Sequence, residues 1–133
     1  VNPVALKAAI APHIAAQQEG KVVTLARLAG YVRGALNAHK ADLILIEGAG
    51  GWRVPLNDRE MLSGLAKELA LPVIQVVGMK LGCISHALLT AEAIEKDGLQ
   101  YAGTMANCFG DMDVREENLL TLRQHLPGAF AIV

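Results

Sequence analysis

Short apolar runs that halt at glycine alternate along this chain with stretches whose apolar residues recur every three or four positions. That alternation limits the fold more than any other feature. The clearest run is LILI at 43–46, closed by the glycine cluster EGAGG. Four consecutive apolar residues read as a strand buried on both faces, and hence as a central parallel strand. Before it, Leu25, Leu28, Ala29, Val32, Ala35 and Leu36 keep helical spacing with Thr24 as N-cap, which predicts an amphipathic helix to about His39. After it, Asp58 caps a predicted helix through Leu69. Pro72 opens a strand over 73–77 that stops at Gly78, and Ser85 caps a helix whose apolar side is Ala87, Leu88, Ala91 and Ile94. A strand over 101–106, a helix over 114–125 and a terminal strand in AFAIV complete the series. In 1–20, Pro3 and Pro12 interrupt any helix.

Strand following helix at this spacing implies right-handed crossovers and an α/β fold, an open parallel sheet with helices on both faces. Ligands in such folds bind beyond the carboxyl ends of the strands, so the turns at 47–57, 78–85 and 107–113 are the places to look for function. With 133 residues the chain reads as a single α/β domain over 1–133, too short for two. An apolar share of 53% against 19% charged residues excludes disorder, since about 45–50% and about 25% are typical of globular chains. Twelve basic and thirteen acidic side chains give a net charge of -1, which leaves no field to hold nucleic acid or an anionic membrane. No apolar run approaches the ~18 residues of a membrane span, and the opening VNPVALKAAIAPH lacks the pattern of a signal peptide, so a soluble cytoplasmic protein is expected. Cys83 and Cys108 have neither CxxC spacing nor partner histidines and read as reduced thiols. The sequence starts at Val1 rather than Met, and VNP reads as the interior of something longer.

Each of the three turns carries residues suited to a particular chemistry. In EGAGG, Glu47 leaves a predicted buried strand, where a carboxylate can bind Mg²⁺ directly or through water. Gly48, Gly50 and Gly51 let the backbone pass close to a bulky anion such as a triphosphate. A plain turn with a solvated Glu47 is the alternative. No lysine and hydroxyl pair follows these glycines, so the turn is not a P-loop. In GMKLGCISH at 78–86, the amides of Cys83 to Ser85 would emerge from a helix N-terminus that favours a carboxylate or phosphate, and Lys80 adds a charge. Against that, Ser85 can merely cap, Lys80 can be solvated, and Cys83 and His86 can pack. In ANC, Asn107 offers the donor and acceptor needed to read an adenine edge, although turn-forming asparagines are commoner. His13, His39 and His125 have no shared metal spacing, and Asp111 with Asp113 reads as a solvated turn.

Taken jointly, IEGAGGWRVPL, VVGMKLGCISHALLTAEAI and GTMANC resemble, in order and spacing, the dethiobiotin synthetases, ATP-dependent enzymes of biotin synthesis. With VNP and APHIAA the resemblance covers nearly the whole chain. It implies a P-loop NTPase-like fold and a Mg²⁺- and ATP-dependent cyclo-ligase that joins 7,8-diaminononanoate and CO2 or bicarbonate through a phosphorylated carbamate. It also implies a homodimer. By this resemblance Glu47 is the Mg²⁺ ligand, and Gly48, Ala49 and Gly50 lie against the nucleotide. Asn107 reads adenine beside Cys108. Gly51, Lys80, Leu81, Gly82, Cys83 and Ser85 take the substrate, the KLGCISH loop gripping its carboxylate tail across the dimer interface.

The family's first strand, its P-loop, a second catalytic lysine, a substrate-contacting serine and a further Mg²⁺-binding aspartate belong before VNP, and its last strand and adenine-covering loop belong beyond AFAIV. None of these motifs is in the sequence, so the resemblance is to the central and C-terminal part of such an enzyme, and turnover by these residues alone is not expected. Two other classes stay open: a P-loop amidotransferase or cobyrinate-synthase-like enzyme, which would share EGAGG but not GMKLGCISH, and a non-catalytic dimerisation or binding module derived from the synthetase.

Overall fold

The computed structural model describes residues 2–133; Val1, with which the VNP motif opens, lies outside the described residues. The chain divides into two compact units, one running to Leu69 and the other from Ala70 to Val133.

The first unit is helical. Helix α1 spans Pro12–Gln18 with its proline in the first turn. Pro12 was expected to interrupt a helix, and instead it starts one, because at the first helical position the missing N–H has no intrahelical partner to lose. Just past its end, the Glu19 carboxylate accepts from Lys21 Nζ at 2.7 Å and from the Lys7 amide at 2.6 Å. The bond from Lys21, followed by that from Lys7, holds its pKa below the usual carboxylate value. Helix α2 spans Leu25–Ala38, and the Thr24 side chain accepts from the Arg27 amide at 3.3 Å, as the sequence predicts. Its Leu28 meets Ala16, Val23 and Leu56 in a small core, packed around by Val4, Leu6, Leu25, Leu62 and Leu65.

Helix α3, Ser63–Leu69, begins later than Asp58. The residues between form a tight loop organised by Asn57. Its Oδ1 accepts from the amides of Arg59 and Glu60 at 3.0 and 3.1 Å, while its Nδ2 donates to the Val23 carbonyl at 2.8 Å and to Glu60 Oε2 at 2.6 Å. A short polar side chain that satisfies nearby amides offers the backbone an alternative to the helix, and here the alternative wins. The run at 43–46 also departs from expectation. It forms no strand, and Leu43 and Leu45 are 73% and 76% exposed. An extended run becomes a strand only where another edge meets its amides and carbonyls, and among the described residues no strand pairs with it.

The second unit is α/β. It contains β1 (Val73–Gly78), α4 (Cys83–Lys96), β2 (Tyr101–Asn107), α5 (Arg115–His125) and β3 (Ala129–Ile132), joined in an open, wholly parallel sheet of order β1-β2-β3. The predicted strands at 73–77 and 101–106 and the predicted helix at 114–125 match β1, β2 and α5 to within a residue or so, and AFAIV supplies β3. Helix α4 packs on β1 and β2, burying Ala87, Ala91 and Ile94 with Val77 and Ala106; α5 adds Leu119 and Leu122. The other face of β1, with Ile74 and Val76, is open within this unit. Helix α4 is not capped by Ser85. Its cap is Gly82, three residues earlier, whose backbone is left-handed at φ +89° and has no Cβ to strain there. Ser85 is the third helical residue.

Candidate functional site

The EGAGG turn belongs to the first unit. Gly50 has φ +80°, and a Cβ there would come within 2.8 Å of Val54 Cγ2, so the turn is closed by a residue that must be glycine. Beyond it the backbone is pinned where the Leu62 amide donates to the Val54 carbonyl at 2.7 Å, and Arg53 Nη1 donates to the buried Ser63 Oγ at 3.3 Å. Glu47, Gly48, Ala49, Gly50 and Gly51 are all exposed. Among the described residues no group of three or more histidines, cysteines or acidic side chains gathers into a metal site. Glu47 is thus not part of such a cluster. A single carboxylate of this kind suits Mg²⁺, which keeps most of its waters and takes one or two carboxylates together with substrate phosphates.

The other two turns are brought together by the sheet of the second unit. Strands β1 and β2 run in register to their carboxyl ends, where Gly78 faces Asn107 and the Met79 amide donates to the Asn107 carbonyl at 2.9 Å. Asn107 is thus set by its backbone at the edge where ligands of such sheets bind, and its side-chain amide makes no hydrogen bond among the described residues. Cys108 is half-buried, its amide donating to the Val133 carbonyl at 2.7 Å. Phe109 follows, with its ring against Gly78.

At the other end of the same turn, Lys80, Leu81, Gly82 and Ser85 are exposed, and Leu81 is 97% so. Cys83 behaves differently. Its side chain is buried, and its amide closes the turn by donating to the Lys80 carbonyl at 2.9 Å. The first helical bond then runs from the His86 amide to the Gly82 carbonyl at 3.2 Å. The donors left free at the start of α4 are therefore Ile84 and Ser85, not Cys83. Ile84 lies within the amides expected at this helix start, and which of those amides stay free depends on where the helix begins. His86 is exposed rather than packed. Along α4, an open groove of about 610 Å³ is lined by Leu81, Ile84, Ser85, Leu88 and Leu89, with Glu92 and Asn118 as polar margins.

Comparison with known proteins bears on these turns. A family model described as an AAA domain matches residues 1–127. An ATP-dependent dethiobiotin synthetase of Cellvibrio japonicus is 59% identical over 128 residues, covering 96% of this chain and 55% of the relative. A protein of the same name from Marinobacter nauticus is 55% identical over 128 residues, covering 95% and 54%. One from Photobacterium profundum is 47% identical over 129 residues, covering 96% and 58%. The resemblance drawn from the three motifs is borne out, and the chain spans about half the length of the curated relatives it matches.

Proposed function

The chain belongs to the AAA domain family, and on that premise we propose that it forms part of an ATP-dependent dethiobiotin synthetase. The proposed reaction starts with the carbamate that 7,8-diaminononanoate forms with CO2. A carbamate oxygen attacks the terminal phosphorus of ATP and ADP leaves. The neighbouring amine then attacks the mixed anhydride, closing the ureido ring and releasing phosphate. Such a transfer depends on in-line positioning and on neutralising the phosphate charge. Mg²⁺ supplies part of that neutralisation, and Glu47 is the residue of this chain that would hold it. Asn107 reads the adenine edge, and the amides of Ile84 and Ser85 with the Lys80 ammonium take the substrate's carboxylate.

The observation that carries this reading is the junction of the GMKLGCISH and ANC turns at one sheet edge, through Gly78 and Asn107, in a chain 47–59% identical to proteins that bear the synthetase name. We further propose a cytoplasmic homodimer, in which the apolar groove beside Leu81 and Leu89 adjoins the partner. No helix among the described residues is long and apolar enough to cross a membrane. The test is formation of dethiobiotin by the full-length protein, followed by mass spectrometry. Product that requires ATP, Mg²⁺, CO2 and diaminononanoate together is the expected result; ATP consumption indifferent to diaminononanoate would overturn the assignment.

A further inference from the structure

Phe109 is a large apolar side chain left 65% exposed at the carboxyl edge of the sheet. Its ring is nevertheless not adrift. Cε1 and Cζ lie 3.4 and 3.6 Å from the point a Cβ on Gly78 would occupy, so the ring edge rests over that glycine in the space its missing side chain leaves. The backbone on either side is tied down. The Cys108 amide donates to the Val133 carbonyl at 2.7 Å, and the Gly110 carbonyl accepts from Arg115 Nη2 at 2.5 Å. Gly78 is also the register partner of Asn107, and paired residues of adjacent strands share a sheet face. One edge therefore presents an uncommitted amide and a held aromatic ring next to each other.

We propose that Phe109 is the stacking platform for the nucleobase whose edge Asn107 reads, an inference that rests on the nucleotide reading above. A planar base needs an apolar surface for its face as well as hydrogen-bonding groups for its edge, and a ring that is already fixed loses little freedom when the base arrives. Stacking on an aromatic ring is indifferent to base identity, because every base has a π-face. Asn107 and Phe109 thus divide the work: the amide sets which base is accepted, and the ring sets how tightly any base is held.

The experiment compares binding of ATP, GTP and tripolyphosphate, which has no base, to the full-length protein and its F109A, F109W and N107A variants by titration calorimetry. F109A is expected to weaken ATP and GTP by the same factor, on the order of tenfold, and to leave tripolyphosphate unchanged. F109W is expected to restore affinity and to change its indole fluorescence with ATP but not with tripolyphosphate. Equal affinity of F109A and the unaltered protein for ATP would overturn the stacking role while leaving the nucleotide reading intact. An equal loss for tripolyphosphate would mark F109A as a folding lesion and pass the decision to F109W, whose failure to give a base-dependent signal would overturn the stacking role. An unaltered protein that binds ATP no better than tripolyphosphate would remove the base site altogether, and both readings with it.

Discussion

Single groups carry the chemistry at the residue scale, and each can be altered without touching the fold. Glu47 is exposed and outside any helix or strand, so Glu47→Gln changes charge and little else. If this carboxylate faces Mg²⁺ at a developing phosphate charge, turnover of the full-length protein should fall on the order of 10²-fold. Wild-type rates in the variant at limiting Mg²⁺ would return Glu47 to the role of a solvated turn residue. Asn107 is tied by its backbone carbonyl, which its side chain does not need. Asn107→Ala removes a paired donor and acceptor, worth about 1–3 kcal/mol or roughly 5- to 150-fold in affinity. ATP binding should weaken and the preference for ATP over GTP should narrow; unchanged discrimination between the two nucleotides would count against base reading.

Elements obey a different logic, because their ends depend on groups that periodicity does not weigh. Helix α2 and strand β2 were legible since their apolar patterns follow what they bury, and β1 was legible from an apolar run bounded by Pro72 and Gly78, although its Ile74 and Val76 stay open within the unit. The start of α3 was not, because Asn57 satisfies the amides of Arg59 and Glu60 with its own side chain. The strand expected at 43–46 failed for lack of an edge to join, which no local pattern can report. For the site, the turns after β1 and β2 were readable at the strands' carboxyl ends, whereas the EGAGG turn follows no strand, and the loss of the Cys83 amide to Lys80 and the rest of Phe109 on Gly78 arise only from folding. One element-scale device was equally hidden. The Tyr101 hydroxyl at the start of β2 lies 2.9 Å from Gln75 Oε1 on β1 and 2.7 Å from Thr104 Oγ1. Donation to the glutamine carbonyl leaves Tyr101 to accept from the buried threonine. Burial raises the phenol's pKa above its ordinary value near 10. Its folded pKa therefore exceeds its unfolded one, so the stability it contributes is complete below about pH 10 and is lost as pH rises through the folded value. Tyr101→Phe should cost about 1–3 kcal/mol at neutral pH by stranding Thr104. It should also flatten the decline of urea stability above pH 10. A gap between the two proteins that stays constant from neutral pH into strong alkali would show that the phenol does not titrate with folding.

For the whole molecule, the proposed reaction raises the question of how one substrate is held at both ends. Diaminononanoate has its reacting amines at one end and its carboxylate several carbons away, and a single phosphate site reaches only the first. The start of α4 offers the Ile84 and Ser85 amides, and a helix N-terminus contributes about 0.3–1 kcal/mol towards an exposed anion and up to about 2 when partly buried. That suffices to orient a flexible tail. In the proposed homodimer this grip comes from the neighbouring subunit. Ser85→Pro removes one free donor without breaking a helical hydrogen bond, since the first such bond belongs to His86. Apparent affinity for diaminononanoate should drop while that for ATP barely changes, with circular dichroism confirming that α4 persists. Combining this variant with Glu47→Gln separates the two arrangements. If sites are shared between subunits, a mixed dimer has one site with both lesions and one with neither, and at diaminononanoate concentrations where each variant is impaired, activity recovers when the two proteins exchange subunits. If each subunit binds its substrate alone, every site keeps one lesion, and no activity returns however complete the exchange.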